Sequence, residues 1–173
     1  YAQADWPVSM AAWVMTYDSA NVHKLFKTVR WRPYTVNLDV GGGEKEDATL
    51  YLADKKVRNI VYDPDKRSAV HNATAIQFVI QLGGSHSVTL SNVLNLYTRW
   101  QDRDAILYYS KFLARKHAPV YIGVYEGDKS GVGKMTKKGW EANLQLAEYE
   151  KAVSNRFKIV DISDDMITAI KVD

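Results

Sequence analysis

The sequence predicts an α/β protein whose mostly parallel sheet carries helices on both faces and is closed by a C-terminal antiparallel hairpin. Three observations predict it. β-Branched apolar runs alternate with helically patterned segments along most of the chain, the pattern of a parallel sheet covered on both sides. Three consecutive glycines, Gly41, Gly42 and Gly43, follow the first such run directly. The last two β-patterned pieces, residues 156–162 and 166–172, are separated by the turn residues Ser163, Asp164 and Asp165. So short a connection has no room for a crossover helix, so these two strands must pair antiparallel.

The 173 residues are most simply one domain, with residues 1–32 as a helical N-terminal extension and 33–173 as the α/β core. A hydrophobic content of 46% supplies a sizeable core, and a net charge of +3 permits an acidic partner without demanding one. The absence of cysteine excludes disulfides and thiolate metal sites. No run of about eighteen apolar residues is present, so no helical membrane span is expected. The chain opens on Tyr1 rather than Met and is expected to be a processed or partial product, with room for a targeting segment before it.

In the extension, Asp5-Trp6-Pro7 reads as a cap and first turn, with Met10, Val14 and Tyr17 on one face. Residues 19–31 then place Val22, Leu25, Phe26 and Val29 at helical spacing. Opposite them lie His23, Lys24, Lys27 and Arg30, which read first as a solvated face. Residues 34–40 form the first strand and 47–56 a short helix around Leu50, Tyr51 and Leu52. Residues 58–62 form the second strand, and Pro64 keeps Asp63 extended at its tip. Ser68 caps a helix with Ala69, Ala73, Ile76 and Ile80 on one stripe, which Gly83-Gly84-Ser85 ends. A third strand spans 87–90, and a helix over 98–116 turns Ile106, Tyr109 and Leu113 inward. A strand over 120–125 leads into a glycine-rich loop over 126–139, read as a flexible lid. Residues 140–153 read as a helix with Ala142, Leu146, Tyr149 and Val153 on one face.

Asp39 and the glycine turn after it have the makings of a nucleotide-type cofactor site. Glycines let the backbone approach a ligand with no Cβ in the way, and the N–H groups of the following helix start point at it. A dinucleotide turn would read G-x-G-x-x-G, but its third glycine is replaced by Glu46. Glu44 and Glu46 would repel a pyrophosphate, so the turn favours a nucleotide-like ligand carrying positive charge. Asp63, at the tip of the second strand, stands where an acid meets ribose hydroxyls in such folds. Ser91 and Asn92 end the next strand, and Tyr125, Glu126 and Asp128 mark the tip after that.

These residues resemble a family. Asp-Val-Gly-Gly-Gly at 39–43, the acid at 63 and the terminal hairpin are similar to the class I S-adenosylmethionine-dependent methyltransferases, over roughly residues 34–173. Tyr-Asp-Pro at 62–64, His-Asn at 71–72, Ser-Asn-Val-Leu-Asn at 91–95 and Tyr-Glu-Gly-Asp-Lys-Ser-Gly-Val-Gly at 125–133 resemble small methyltransferase-like proteins of bacteria and their phages. The resemblance implies a Rossmann-like methyltransferase fold and S-adenosyl-L-methionine as cofactor. It places Asp39, Val40 and Gly41 to Gly43 at the methionine part, and Asp63 and Pro64 at the ribose. Ser91 and Asn92 complete the implied cofactor-binding set, and Asn92 would border the reacting centre. It also implies an acceptor of unassigned class, small molecule or nucleic acid, and a cytoplasmic setting in a bacterial or phage-infected cell. Little sequence separates Ile80 from Ser87, where the family often places the acid that meets adenine, which leaves Ser85 and His86 as weak substitutes. The Asn/Asp-Pro-Pro-aromatic motif of amino-directed DNA methyltransferases is absent, with Ser91-Asn92-Val93-Leu94 in its place.

A sulfonium already activates its methyl group, so the protein's task is alignment and the exclusion of water. A base is needed only for a protonated nucleophile, and Glu126, Asp128 or Tyr125 could serve; Asn92 is the further catalytic candidate, bordering that centre. Tyr125 reads first as a strand-end packing residue, while loop solvation and catalysis suit Glu126 and Asp128 equally. Gly131-Val132-Gly133-Lys134 resembles part of a phosphate loop, but Met135 stands where Ser or Thr is required. His23, His71, His86 and His117 show no metal-ligand spacing. Lys129, Lys134, Lys137 and Lys138 beside Trp140 suit an acidic substrate, but such runs more often serve solubility. Two other classes stay open: a catalytically inactive scaffolding module of the same fold, and a nicotinamide-dependent oxidoreductase, against which Glu44 and Glu46 argue.

Overall fold

The computed structural model describes residues 17–173. The chain runs from a 3₁₀ turn at Ser19–Asn21 and a short helix α1 (Lys24–Thr28) to strand β1 (Thr35–Val40). Helix α2 (Asp47–Asp54), strand β2 (Val57–Tyr62), helix α3 (Ala69–Gln81) and strand β3 (Ser87–Ser91) come next. A 3₁₀ turn at Leu94–Leu96 leads to helix α4 (Trp100–Leu113) and strand β4 (Pro119–Gly123). A small hairpin, β5 (Lys134–Thr136) and β6 (Gly139–Glu141), precedes a 3₁₀ turn at Leu146–Tyr149 and helix α5 (Glu150–Ser154). Strands β7 (Lys158–Ile162) and β8 (Ile167–Ile170) close the chain.

The main sheet has the order β2-β1-β3-β4-β8-β7. β1 runs parallel to β2 and β3, and β3 runs parallel to β4. β8 pairs antiparallel with both β4 and β7, so the hairpin read from the short turn at 163–165 is present. β1 lies between two partners and under both helical layers, and all six of its residues are buried. One face of the sheet, with Leu38, Val88, Leu90, Val120, Ile122 and Ile167, packs against Val79, Leu107, Leu113 and Val153 from α3, α4 and α5. The other face is smaller. There Val22, Leu25, Phe26 and Val29 meet Leu52 and Val57. Among the described residues no helix is long and apolar enough to cross a membrane.

Several expected elements differ. Met10, Val14 and the Asp5-Trp6-Pro7 cap lie outside the described residues. Residues 19–31 hold only the 3₁₀ turn and five-residue α1, because the His23 ring accepts from the Leu25 amide and starts a new helix there. His23 is accordingly half-buried rather than part of a solvated face. In α3 the buried side chains are Asn72, Ala75 and Val79, while Ala73 is exposed and Ile80 is 55% exposed. In α4 they are Arg103, Leu107, Ser110 and Leu113, while Tyr109 is 44% exposed.

The lid and the helix expected after it are also different. Residues 134–141 form the β5–β6 hairpin, and Asn143 adopts a left-handed backbone (φ 55), which no helix interior accepts. Its side chain takes the Asp128 amide and donates to the Val132 carbonyl, strapping the glycine-rich loop to the hairpin. Ala142, Leu146, Tyr149 and Val153 are nevertheless all buried. The partial phosphate loop is part of this strap, with Lys134 paired to Asp128 at 3.1 Å.

Candidate functional site: a cleft at the carboxyl edge of the sheet

The glycine turn leaves β1 with the Gly41 amide donating to the Tyr62 carbonyl at 2.7 Å, which binds it to the tip of β2. Gly41 and Gly43 hold φ of +74° and +76°, where a side chain is strained. Gly42 is small for a different reason. A Cβ there would stand 2.5 Å from Asp39 Oδ2. At Gly43 a Cβ would meet nothing within 4 Å, so this backbone opens onto free space. Arg67 fastens the turn from outside, donating from Nε to the Gly43 carbonyl at 2.7 Å and pairing with Glu46 at 2.5 Å. Glu46 is thus neutralised by a cation, and the repulsion expected of the two glutamates falls to exposed Glu44.

Asp63 completes the turn. Its Oδ2 accepts from the Gly43 amide at 2.8 Å, and its Oδ1 accepts from the Asp65 and Lys66 amides at 3.0 Å each. The Asn72 side chain takes the Asp63 amide and donates to its carbonyl, both at 2.9 Å, which is why Asn72 is buried in α3. A carboxylate offers about four lone-pair sites, so roughly one remains, on Oδ2.

Between this turn and α4 lies a cleft of about 420 Å³. Val40, Gly41, Gly43, Asp63 and Pro64 form one side, and Val93, Leu96, Tyr97, Ile106 and Tyr109 the other. Tyr62 stacks on Tyr109 with ring centroids 6.0 Å apart, giving the cleft an aromatic wall. Asp65 and Lys66 also border it, and such a mainly apolar volume with a few polar side chains on one side suits a nucleoside-sized group.

Asp39 does not line this cleft. It lies behind Gly42 at 2% exposure, on the other face of β1, where Thr89 Oγ1 donates to its Oδ1 at 3.0 Å and Asn59 Nδ2 reaches its Oδ2 at 3.4 Å. Burial pushes its carboxyl up to about 6, against the lowering effect of the Thr89 and Asn59 hydrogen bonds. The same polar layer continues through Asn37, which donates to Asn59 and Thr89 and accepts from Ser87.

Ser91 pairs with Gly123 at the ends of β3 and β4. Asn92, next along, has φ 55 and donates its amide to the Gly123 carbonyl at 2.9 Å. Its side-chain Oδ1 is buried with no hydrogen-bond partner among the described residues, an unmet acceptor at the strand tips. Beyond it, Tyr125 is 56% exposed and Glu126 Oε2 accepts from the Leu146 amide at 2.8 Å. Glu126 also borders a recess of about 110 Å³ with His23, Val124, Leu146 and Met166. Asp128 is unsuited to proton abstraction. Hydrogen bonds from Ser130 and Lys134 hold its carboxyl down at about 2. Ser85 and His86 precede β3 and sit at its amino end, away from the cleft, so neither can meet adenine there.

Sequence reasoning missed Tyr62, Leu96, Tyr97, Ile106 and Tyr109 as cleft walls, and Arg67 and Asn72 as its fasteners. Arg67 and Asn72 fall four and nine residues after Asp63, and that spacing within one turn and helix start is the available signal. Tyr97 and Tyr109 reach the cleft only through tertiary packing. Among the described residues no group of His, Asp and Glu could hold a metal ion.

No family model and no curated protein matches this chain. Solved structures do. One is the 1,6-didemethyltoxoflavin N1-methyltransferase of Burkholderia thailandensis with bound 1,6-didemethyltoxoflavin and S-adenosylhomocysteine, at 20% identity and TM-score 0.58 over 82% of this chain and 72% of that one. Another is a SAM-dependent methyltransferase of Methanosarcina mazei, at 12% identity and TM-score 0.60 over 87% and 98%. A third is an O-methyltransferase family 2 protein of Planctomyces limnophilus in complex with apigenin, at 16% identity and TM-score 0.57. This chain covers 86% of itself in that match but only 56% of the other chain. The strand order, the terminal hairpin and these likenesses together establish that the chain has the class I S-adenosylmethionine-dependent methyltransferase-like fold.

Proposed function

We propose that this protein binds S-adenosylmethionine across the carboxyl ends of β1, β2 and β3 and transfers its methyl group to an acceptor at the tips of β3 and β4. The observation that carries this reading is the cleft itself: an open glycine backbone at Gly43, an Asp63 carboxylate with one acceptor site left, and an aromatic wall from Tyr62 and Tyr109. Asp63 Oδ2 would take one ribose hydroxyl, and Pro64, Leu96, Tyr97 and Ile106 would enclose the base, with Asp65 the further carboxylate on that lining. Asp39 would act from behind the turn, holding Gly42 in place and offering negative charge to a methionyl ammonium, not as a lining residue. Bound there, the cofactor supplies an electrophilic methyl on a sulfonium.

The chain's own contribution is then positioning. Asn92, whose buried Oδ1 is an unmet acceptor at the strand tips, would orient a nucleophile's N–H or O–H, with Glu126 and Tyr125 next along the same edge. Asp128 is left out, because its depressed carboxyl accepts a proton poorly. A nucleophile that is neutral at working pH needs no base in this arrangement, since alignment supplies most of the acceleration. The likeness to enzymes named for N- and O-methylation, one of them with bound 1,6-didemethyltoxoflavin and another with apigenin, favours a small-molecule acceptor over nucleic acid. Calorimetry with S-adenosylhomocysteine tests the reading. Saturable binding to the parent that Gly43→Ala weakens about tenfold, by intruding on the open backbone, supports it. No heat with the parent, alongside intact folding, would leave a scaffolding module of the same fold.

A further inference from the structure

The opposite edge of the sheet holds a second concavity that the proposed methyl transfer does not use. At the amino ends of β1, β3 and β4 lies a cleft of about 450 Å³ bordered by Arg30, Arg32, Arg115, Lys116, Trp31 and Tyr121, with His86 and His117 also on its surface. No Asp or Glu is among its described lining residues. Cations gathered around one concavity, with no carboxylate among the described lining residues, make a field that attracts an anion.

The cleft is built rather than incidental. Arg115 is fixed in place by donating from Nε to the Gly84 carbonyl at 2.9 Å and from Nη2 to the Leu82 carbonyl at 2.7 Å. Its Nη1 lies 2.9 Å from His86 Nε2, while His86 Nδ1 accepts from the Val36 amide. Burial, with Arg115 and Arg32 close by, holds His86 down at about 4, so the imidazole is neutral and the positive field comes from the arginines. Arg30, Arg32 and Lys116 are exposed and take no ion pair from the described residues. Trp31 and Tyr121 stand edge to face at 5.9 Å and supply a flat apolar wall.

Guanidinium forks match phosphate oxygens, and an aromatic wall suits a planar base. The volume exceeds what a lone phosphate fills. We propose that this cleft binds the phosphate of a nucleotide, either free or as one unit of a nucleic-acid strand, independently of the carboxyl-edge site.

Uridine 5′-monophosphate is the probe, because the carboxyl-edge cleft is read as an adenosine site. Calorimetry at about 0.15 M salt should show saturable binding, tighter than that of inorganic phosphate and unchanged by excess S-adenosylhomocysteine. The double variant Arg30→Glu/Arg32→Glu should weaken it at least about tenfold while leaving S-adenosylhomocysteine binding as in the parent. Lys151→Glu, the same kind of charge change on a distant surface, should keep parental affinity. A single-stranded oligonucleotide that binds more tightly than the monophosphate identifies a strand as the source, and equal or weaker binding identifies the free nucleotide. Absence of nucleotide binding to the parent, or an equal loss with Lys151→Glu, overturns the proposal, and neither result bears on the methyltransferase reading.

Discussion

Asp39 shows how one residue can be legible in type and illegible in placement. Its position two residues before the glycines is plain in the sequence, but its burial behind Gly42 depends on Asn59 and Thr89, 20 and 50 residues away. That burial has a measurable consequence. Its carboxyl titrates near 3.8 when unfolded and near 6 when folded, so the folded state holds this proton more tightly. Stability from this group is therefore greatest below the unfolded value, falls as pH rises between the two, and is constant above. The shift corresponds to a loss of about 3 kcal/mol. Asp39→Asn removes the titration, at a pH-independent cost from an amide that must face the Asn59 donor. Urea unfolding at about pH 4 and about pH 7 should thus show the variant gaining on the parent at the higher pH. A parent–variant difference that stays flat with pH would show that Asp39 is ionised as easily folded as unfolded.

At the level of the element, the segment between β3 and α4 shapes the cleft and depends on one buried cation. Arg103, 3% exposed, donates to the Leu94 carbonyl at 2.9 Å and to the Tyr97 carbonyl at 2.5 Å. Its guanidinium also lies over the Trp100 ring, 4.3 Å from the centroid. Arg103→Leu would leave both carbonyls without their donor, costing about 3 kcal/mol. Leu96 and Tyr97 would lose their anchor as well, so S-adenosylhomocysteine affinity should fall with stability. Chemical denaturation and calorimetry on the one variant measure both, and an unchanged affinity would remove this segment from the binding surface. Arg103 escaped the sequence reading because an arginine on a helix is ordinarily solvated. Helical spacing with Ile106 and Leu113 turned Tyr109 inward, whereas it is 44% exposed and its ring stacks on Tyr62 in the cleft wall. The six strands of the main sheet were legible because β-branched apolar runs are local, but their order in the sheet and the β5–β6 hairpin were not. The strap made by Asn143 was not, since its partners, Asp128 and Val132, are reached only through tertiary contact.

Across the whole molecule the sheet divides two unequal cores and two chemically different edges. The larger core under α3, α4 and α5 is supplied by β1 and the residues after it. The smaller is completed by residues that read as an extension: Leu25 and Phe26 at 3% exposure pack with Leu52 and Val57, and Trp31 stacks on Phe26. On that face the strands also present Asn37, Asp39, Asn59 and Thr89, so apolar contact is scarce and each such side chain matters more. The two edges follow from parallel strand direction, which collects Asp63 and the glycine turn at one end and the arginines at the other. If the segment around α1 is part of the cooperative fold, Phe26→Ala should destabilise the protein by about 3–5 kcal/mol, in the range for a buried aromatic. The loss should appear as one shifted urea transition followed by both fluorescence and circular dichroism. A midpoint that stays within about 0.5 kcal/mol of the parent would show that α1 is an appendage and that the sheet's second face is held by α2 alone.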